Sequence, residues 1–150
     1  VFDDYEPDVQ NFRKQVCVDE IYCMLDILDP TDFCNSTDSI RERDIRRNQG
    51  FMLVYDSVAS AEVLITMYDE LVKVKETQSP MVVVATKCDL QREDQVAQKG
   101  RELAKHWNVP FFEASAKERM NVDESYFELI RQIRALHPHI DKKKSNCCLQ

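Results

Sequence analysis

Glycine is scarce in this chain: Gly50 and Gly100 are the two in 150 residues, where a usual share near 7% would give about ten. A loop that cradles phosphate through G-x-x-x-x-G-K-[ST] brings backbone amides close to the ligand, and no such stretch occurs. A basic excess is also missing. The formal net charge of −7 argues against a nucleic-acid-binding body. No apolar run approaches the roughly 20 residues that span a bilayer, and the residues after Val1 do not read as a signal peptide. The histidines form no catalytic constellation: His106 falls in a helical pattern, and His137 and His139 flank Pro138 in a linker-like stretch. Cys17, Cys23, Cys34, Cys88, Cys147 and Cys148 have neither paired nor zinc-ligand spacing, which predicts free thiols in a reducing cytosol.

What is present starts with length and composition. A chain of 150 residues, 43% hydrophobic and 31% charged, reads as one globular domain that buries roughly two-thirds of its unfolded surface. The informative stretch is Val82 to Asp89, Val-Val-Val-Ala-Thr-Lys-Cys-Asp. Its β-branched half suits a strand buried on both faces, and its polar half then ends in a carboxylate. Ligands of open α/β sheets sit beyond the carboxyl ends of the strands. A carboxylate there accepts two parallel N–H bonds, which guanine offers on one edge (N1–H and the exocyclic amine) and adenine does not. Val109 to Lys117, Val-Pro-Phe-Phe-Glu-Ala-Ser-Ala-Lys, repeats the pattern of apolar strand followed by small polar loop.

Thr86-Lys87-Cys88-Asp89 resembles the guanine-specificity motif [NT]-K-x-D of small GTPases, and Ser115-Ala116-Lys117 resembles its S-A-K partner. Their order and flanking strands are similar to those of the Ras family. The resemblance implies that Asp89 accepts the guanine N1–H and N2–H₂, that the Ala116 amide donates to O6, and that Ser115 braces the aspartate. It implies that the Lys87 stem packs along the base, with Lys117 supporting the opposite side. Thr86 stands where Ras has Asn, as in Rho-type relatives. An Asp edge left unpaired by adenine discriminates by roughly 1–3 kcal/mol.

Other stretches carry the same resemblance with departures. Val1 to Asp8 resembles the effector segment F-V-D-E-Y-D-P-T, matching at Tyr5, Glu6 and Pro7; with Asp8 and Val9 these residues are the expected effector segment. The family's next residue is a Thr on Mg²⁺ and the γ-phosphate, whereas here Asp8 follows, and a carboxylate beside a phosphate is repelled. Leu25-Asp26-Ile27-Leu28-Asp29 is similar to the strand that leads into D-T-A-G-Q. Asp29 keeps the residue beside Mg²⁺, but Asp32 and Phe33 replace the glycine and the water-orienting glutamine. GTP or GDP with Mg²⁺ is thus the implied cofactor set, while no catalytic residue is assigned and hydrolysis is expected to be impaired or absent.

The coarse pattern predicts an antiparallel hairpin from Val9–Val18 and Glu20–Leu28 through Asp19-Glu20. A polar stretch, Asn35 to Asn48, follows it. Next come a strand over Gly50–Asp56 and a helix from a Ser60 cap to about Glu76, with Leu64, Met67, Leu71 and Val74 inward. A helix from about Glu93 to Trp107 carries Val96, Gly100, Leu103 and Trp107 on one stripe. Asn121 with Glu124 resembles a capping box for a last helix with Val122, Tyr126, Ile130 and Ile133 inward. The fold class is α/β: a Ras-like G domain, doubly wound with a mostly parallel sheet and one antiparallel hairpin, without the family's first strand, phosphate loop and first helix. Residues 1–136 are expected to form this incomplete domain, as a fragment or defective copy of a longer protein.

Residues 137–150 read as a basic linker. Cys147-Cys148-Leu149-Gln150 fits C-a-a-X, which marks Cys147 for farnesylation by a prenyltransferase. One lipid gives marginal binding; Lys142, Lys143 and Lys144 add about 1 kcal/mol each at an anionic leaflet, roughly a hundredfold together. The expected location is the cytoplasmic face of a membrane, with the plasma membrane foremost, and the expected partners are guanine nucleotide, Ras-type effectors and regulators, and no nucleic acid. The reading is a Ras-type, membrane-anchored signalling switch. Its alternatives are a lipidated pseudo-GTPase interaction module without nucleotide switching, and a non-functional fragment.

Overall fold

Asp19 and Glu20 both take left-handed backbone angles, φ 53° and 65°, the pattern of a two-residue turn whose twist matches paired strands. They join β1 (Val9–Val18) to β2 (Ile21–Pro30) in an antiparallel ladder running from Val18↔Ile21 to Val9↔Pro30. The computed structural model describes residues 9–30, 38–56, 62–90 and 94–138. These fall into two units, one ending at Arg47 and one beginning at Asn48.

In the first unit Arg13 and Asp26 face each other across the ladder, with Nε–Oδ1 and Nη2–Oδ2 distances of 2.5 and 3.1 Å. Strand β2 runs two residues past the expected Leu28, so Asp29 lies inside the ladder opposite Gln10. The polar stretch after it contains a helix that the sequence reading does not predict, α1 (Asp38–Arg47). An i,i+4 pair, Arg46 to Glu42 at 2.6 Å, braces it, and Ile45 is buried.

The second unit alternates strand and helix. It contains β3 (Phe51–Asp56), α2 (Glu62–Lys75), β4 (Met81–Thr86), α3 (Asp94–Trp107), β5 (Phe111–Glu113) and α4 (Val122–Leu136). Its sheet has the order β3-β4-β5 with both ladders parallel, an arrangement that requires crossover helices. Central β4 is buried at every position from Met81 to Ala85. Val82 and Val84 form one face of the core with Ala114 and Leu129 of α4. On the opposite face Tyr55 lies against Gly100 of α3. Helices therefore cover both sides of a parallel sheet, the architecture of a Ras-like G domain. Among the described residues no strand pairs with the second edge of β3.

The predicted stripes mostly face inward. Leu64, Leu71, Gly100 and Ile130 are buried, and Met67, Val74, Leu103, Trp107, Val122, Tyr126 and Ile133 are half-buried. Ser60 and the side chain of Val96 lie outside the described residues. Ala104 and Leu129 are further buried positions, and Trp107 stacks on Tyr68 of α2 with ring centroids 4.1 Å apart. The capping box at Asn121 requires correction. Asn121 precedes α4 in a left-handed conformation, φ 54°, and makes no side-chain cap bond. Its amide donates instead to the Glu113 carbonyl at 2.7 Å. Asn tolerates this backbone region better than most residues.

Candidate functional site

The carboxyl ends of β3, β4 and β5 converge on one place. Thr86 ends β4 opposite Asp56 of β3, and its hydroxyl donates to the Tyr55 carbonyl at 3.1 Å. Lys87 then turns the chain with φ 58°. The Cys88 amide donates to the Ala114 carbonyl at 3.2 Å, and the Leu90 amide to the Lys87 carbonyl at 3.1 Å. A non-glycine residue held in the left-handed region stores strain, and such residues persist where their surroundings over-determine them. Lys87 is fixed in this way from both sides.

The loop after β5 is closed by reciprocal backbone bonds between Ser115 and Met120, 3.0 and 2.9 Å. Ser115 is fully buried. Its hydroxyl accepts the Glu118 amide proton at 3.2 Å and donates its own to Asp89 Oδ1 at 2.6 Å. A hydroxyl has one proton to give, and the Glu118 amide leaves the carboxylate as its receiver. Asp89 is thereby aimed by a group anchored in the second loop, while the residue itself stays exposed.

Between the two loops lies an open cavity of about 450 Å³ lined by Thr86, Lys87, Asp89, Leu90, Ala116 and Lys117. The structure thus gathers Thr86, Lys87, Asp89, Ala116 and Lys117 around one volume, with Ser115 behind Asp89. The cavity combines an edge acceptor, an apolar wall at Leu90 and two cationic side chains on alkyl stems, a set suited to a flat heterocycle that donates two N–H groups.

Two lining or bracing residues escape sequence reasoning. Leu90 has no motif role and is half exposed at 49%. Asp56 forms an ion pair with the Lys87 ammonium. One signal was available for Asp56: like Asp89, it is a carboxylate at the end of an apolar strand.

Asp29 is carried by the first unit, in β2. Among the described residues no group of three or more His, Cys, Asp or Glu side chains is placed to hold a metal ion. Val9 opens β1 opposite Pro30; Tyr5, Glu6, Pro7 and Asp8 lie outside the described residues, as do Asp32, Phe33, Lys142, Lys143, Lys144 and Cys147. Among the described residues Cys17, Cys23 and Cys88 form no disulfide bond. Among the described residues no helix is long and apolar enough to cross a membrane. The base-binding half of a guanine nucleotide fits the residues present; for phosphates and Mg²⁺ the described residues offer no comparable cradle.

Two comparisons with known proteins converge. Residues 2–135 match the Ras family. The chain is 41% identical over 137 residues to the Ras-like protein rasB of Dictyostelium discoideum, an alignment covering 88% of this chain and 69% of that protein.

Proposed function

Because the chain belongs to the Ras family of small GTPases, we propose that it binds guanine nucleotide through the strand-end cavity, as a membrane-anchored signalling protein whose hydrolysis is impaired. The Ser115–Asp89 contact carries this reading. A buried hydroxyl 2.6 Å from Asp89 Oδ1 holds an exposed carboxylate at the rim of a cavity that the two expected motifs line together. Held there, Asp89 accepts N1–H and the 2-amino group of guanine. The Lys87 and Lys117 stems flank the ring. With adenine the same carboxylate meets no donor pair, so the preference rests on one edge.

GTP or GDP with Mg²⁺ is the ligand set proposed, with the base held by Thr86, Lys87, Asp89, Ser115, Ala116 and Lys117. Loss of hydrolysis follows from Asp32 and Phe33, since an aromatic ring cannot orient water and an added carboxylate repels phosphate. The partners are Ras-type effectors and regulators, the former through Tyr5, Glu6, Pro7, Asp8 and Val9. A prenyltransferase acting on Cys147, and an anionic membrane meeting Lys142, Lys143 and Lys144, place the protein on the cytoplasmic face of the plasma membrane.

Calorimetric titration of the purified chain with GDP and Mg²⁺, with ADP as control, tests the nucleotide part. Micromolar or tighter binding of GDP alone supports it. A folded chain that takes up neither nucleotide favours the second reading, a lipidated pseudo-GTPase, for which the Asp32 and Phe33 replacements already argue.

A further inference from the structure

We infer that Asp56 is a positioning residue of the nucleotide site, acting on the base through Lys87; this rests on the guanine-binding reading above. Asp56 ends β3 directly opposite Thr86 of β4, so its carboxylate sits beside the residue that precedes Lys87. The ammonium of Lys87 pairs with Asp56 Oδ2, with the lysine side chain 58% exposed and the aspartate 26%. The less exposed partner is the acid. It therefore acts as the anchor, and the long lysine side chain is the part being held.

Lysine carries several freely rotating bonds, and immobilising such a side chain on binding opposes association. In this chain the Lys87 backbone is fixed by its turn and its tip by Asp56, so the alkyl stem already stands as a wall of the 450 Å³ cavity. The base then meets a prearranged surface. Asp56 also sets the charge around the cavity. With Asp56 and Asp89 negative and Lys87 and Lys117 positive, the four side chains sum to zero, which suits an uncharged base. Without Asp56 the set carries one excess positive charge on a mobile arm.

A double-mutant cycle tests the inference on the full 150-residue chain, with GDP and Mg²⁺ as titrant and thermal melts to show that each variant folds. Asp56→Asn and Lys87→Met are each expected to weaken GDP binding by about threefold to tenfold, the effect of freeing or removing one prearranged side chain. If Asp56 acts through Lys87, adding D56N to K87M changes affinity by less than about twofold, because the arm it holds is gone. Where D56N melts too low to titrate, Asp56→Ser completes the same cycle.

Multiplying losses in the double variant, or an unchanged affinity for D56N, overturns the inference while leaving guanine binding intact. Absence of GDP binding by the folded wild-type chain overturns both.

Discussion

Ser115, fully buried, gives its hydroxyl proton to Asp89 across 2.6 Å. The two residues are 26 apart in sequence and belong to different loops, so the contact ties the loops after β4 and β5 together at the rim of the cavity. Ser115→Ala removes the brace and leaves the Glu118 amide without its acceptor. Hydrogen bonds to charged groups contribute about 1.5–3 kcal/mol, and the exposure of Asp89 puts this one at the lower end. GDP affinity should fall about tenfold by calorimetry and the melting temperature by a few degrees. Asp89→Asn changes one of the two acceptors itself, and its larger loss of GDP over ADP preference, about 1–3 kcal/mol, separates reading the base from aiming the reader.

Gly100 is the glycine that packing demands. A Cβ there would overlap the Tyr55 hydroxyl and lie 2.5 Å from Cζ and 3.0 Å from Cε1 of the same ring. Both residues are buried, so α3 approaches β3 as closely as a bare backbone permits. Gly100→Ala should destabilise by about 1–3 kcal/mol through overpacking, partly offset by the helix preference for alanine. Adding Tyr55→Phe removes the hydroxyl but not Cζ, so the melting temperature should recover only in part.

The fold was legible where periodicity and burial agree. Strand β4 reads as buried on both faces because Val82, Val83 and Val84 have no polar interruption, and the structure leaves none of them exposed. Helix α1 was not legible: Asp38–Arg47 holds Ile40 and Ile45 among eight polar or charged residues, too few to mark a face, and part of its support is the Glu42–Arg46 pair. Asn121 shows how one pattern serves two geometries, since Asn followed three residues later by Glu fits a capping box and equally a left-handed Asn before a helix. The site divides in the same way. Asp89 and Ser115 sit in short motifs, whereas the Lys87–Asp56 pair spans 31 residues and depends on strand register that no local spacing encodes.

Glycine scarcity leaves a measurable mark on the backbone. Asp19, Glu20, Glu76, Lys87, Asn108, Arg119 and Asn121 all have positive φ, and neither glycine does. Glu20 occupies the second turn position of the hairpin, where glycine after Asp is the strongest choice. Glu20→Gly should stabilise the hairpin by about 0.5–1 kcal/mol, read as a twofold to fivefold slowing of amide exchange in β1 and β2. Asn121→Gly is expected to differ: it relieves the backbone but loses the bond to the Glu113 carbonyl, so its net effect on melting should be near zero. Asn121→Ala loses both and should melt lower than either.

The Arg13–Asp26 pair makes a prediction about acid. The hydrogen bond from Arg13, aided by its charge, holds the Asp26 carboxyl below its usual range, and the same bond raises Arg13. For the aspartate the folded value is the lower one. Its contribution is therefore present above the unfolded value, about 3.9, and is lost as pH falls through the folded value beneath it. Arg13 contributes the opposite sign of slope only above pH 12, outside any working range. Both side chains are largely exposed, 72% and 62%, so the effect should be small and weakened by salt. Comparing urea unfolding of the wild type with Asp26→Asn from pH 7 to pH 2 checks this. The difference should stay constant near neutral pH and shrink as pH falls through the unfolded value; a difference undiminished by about pH 2, or one that appears only at high pH, would assign the cross-strand contact to packing and not to charge.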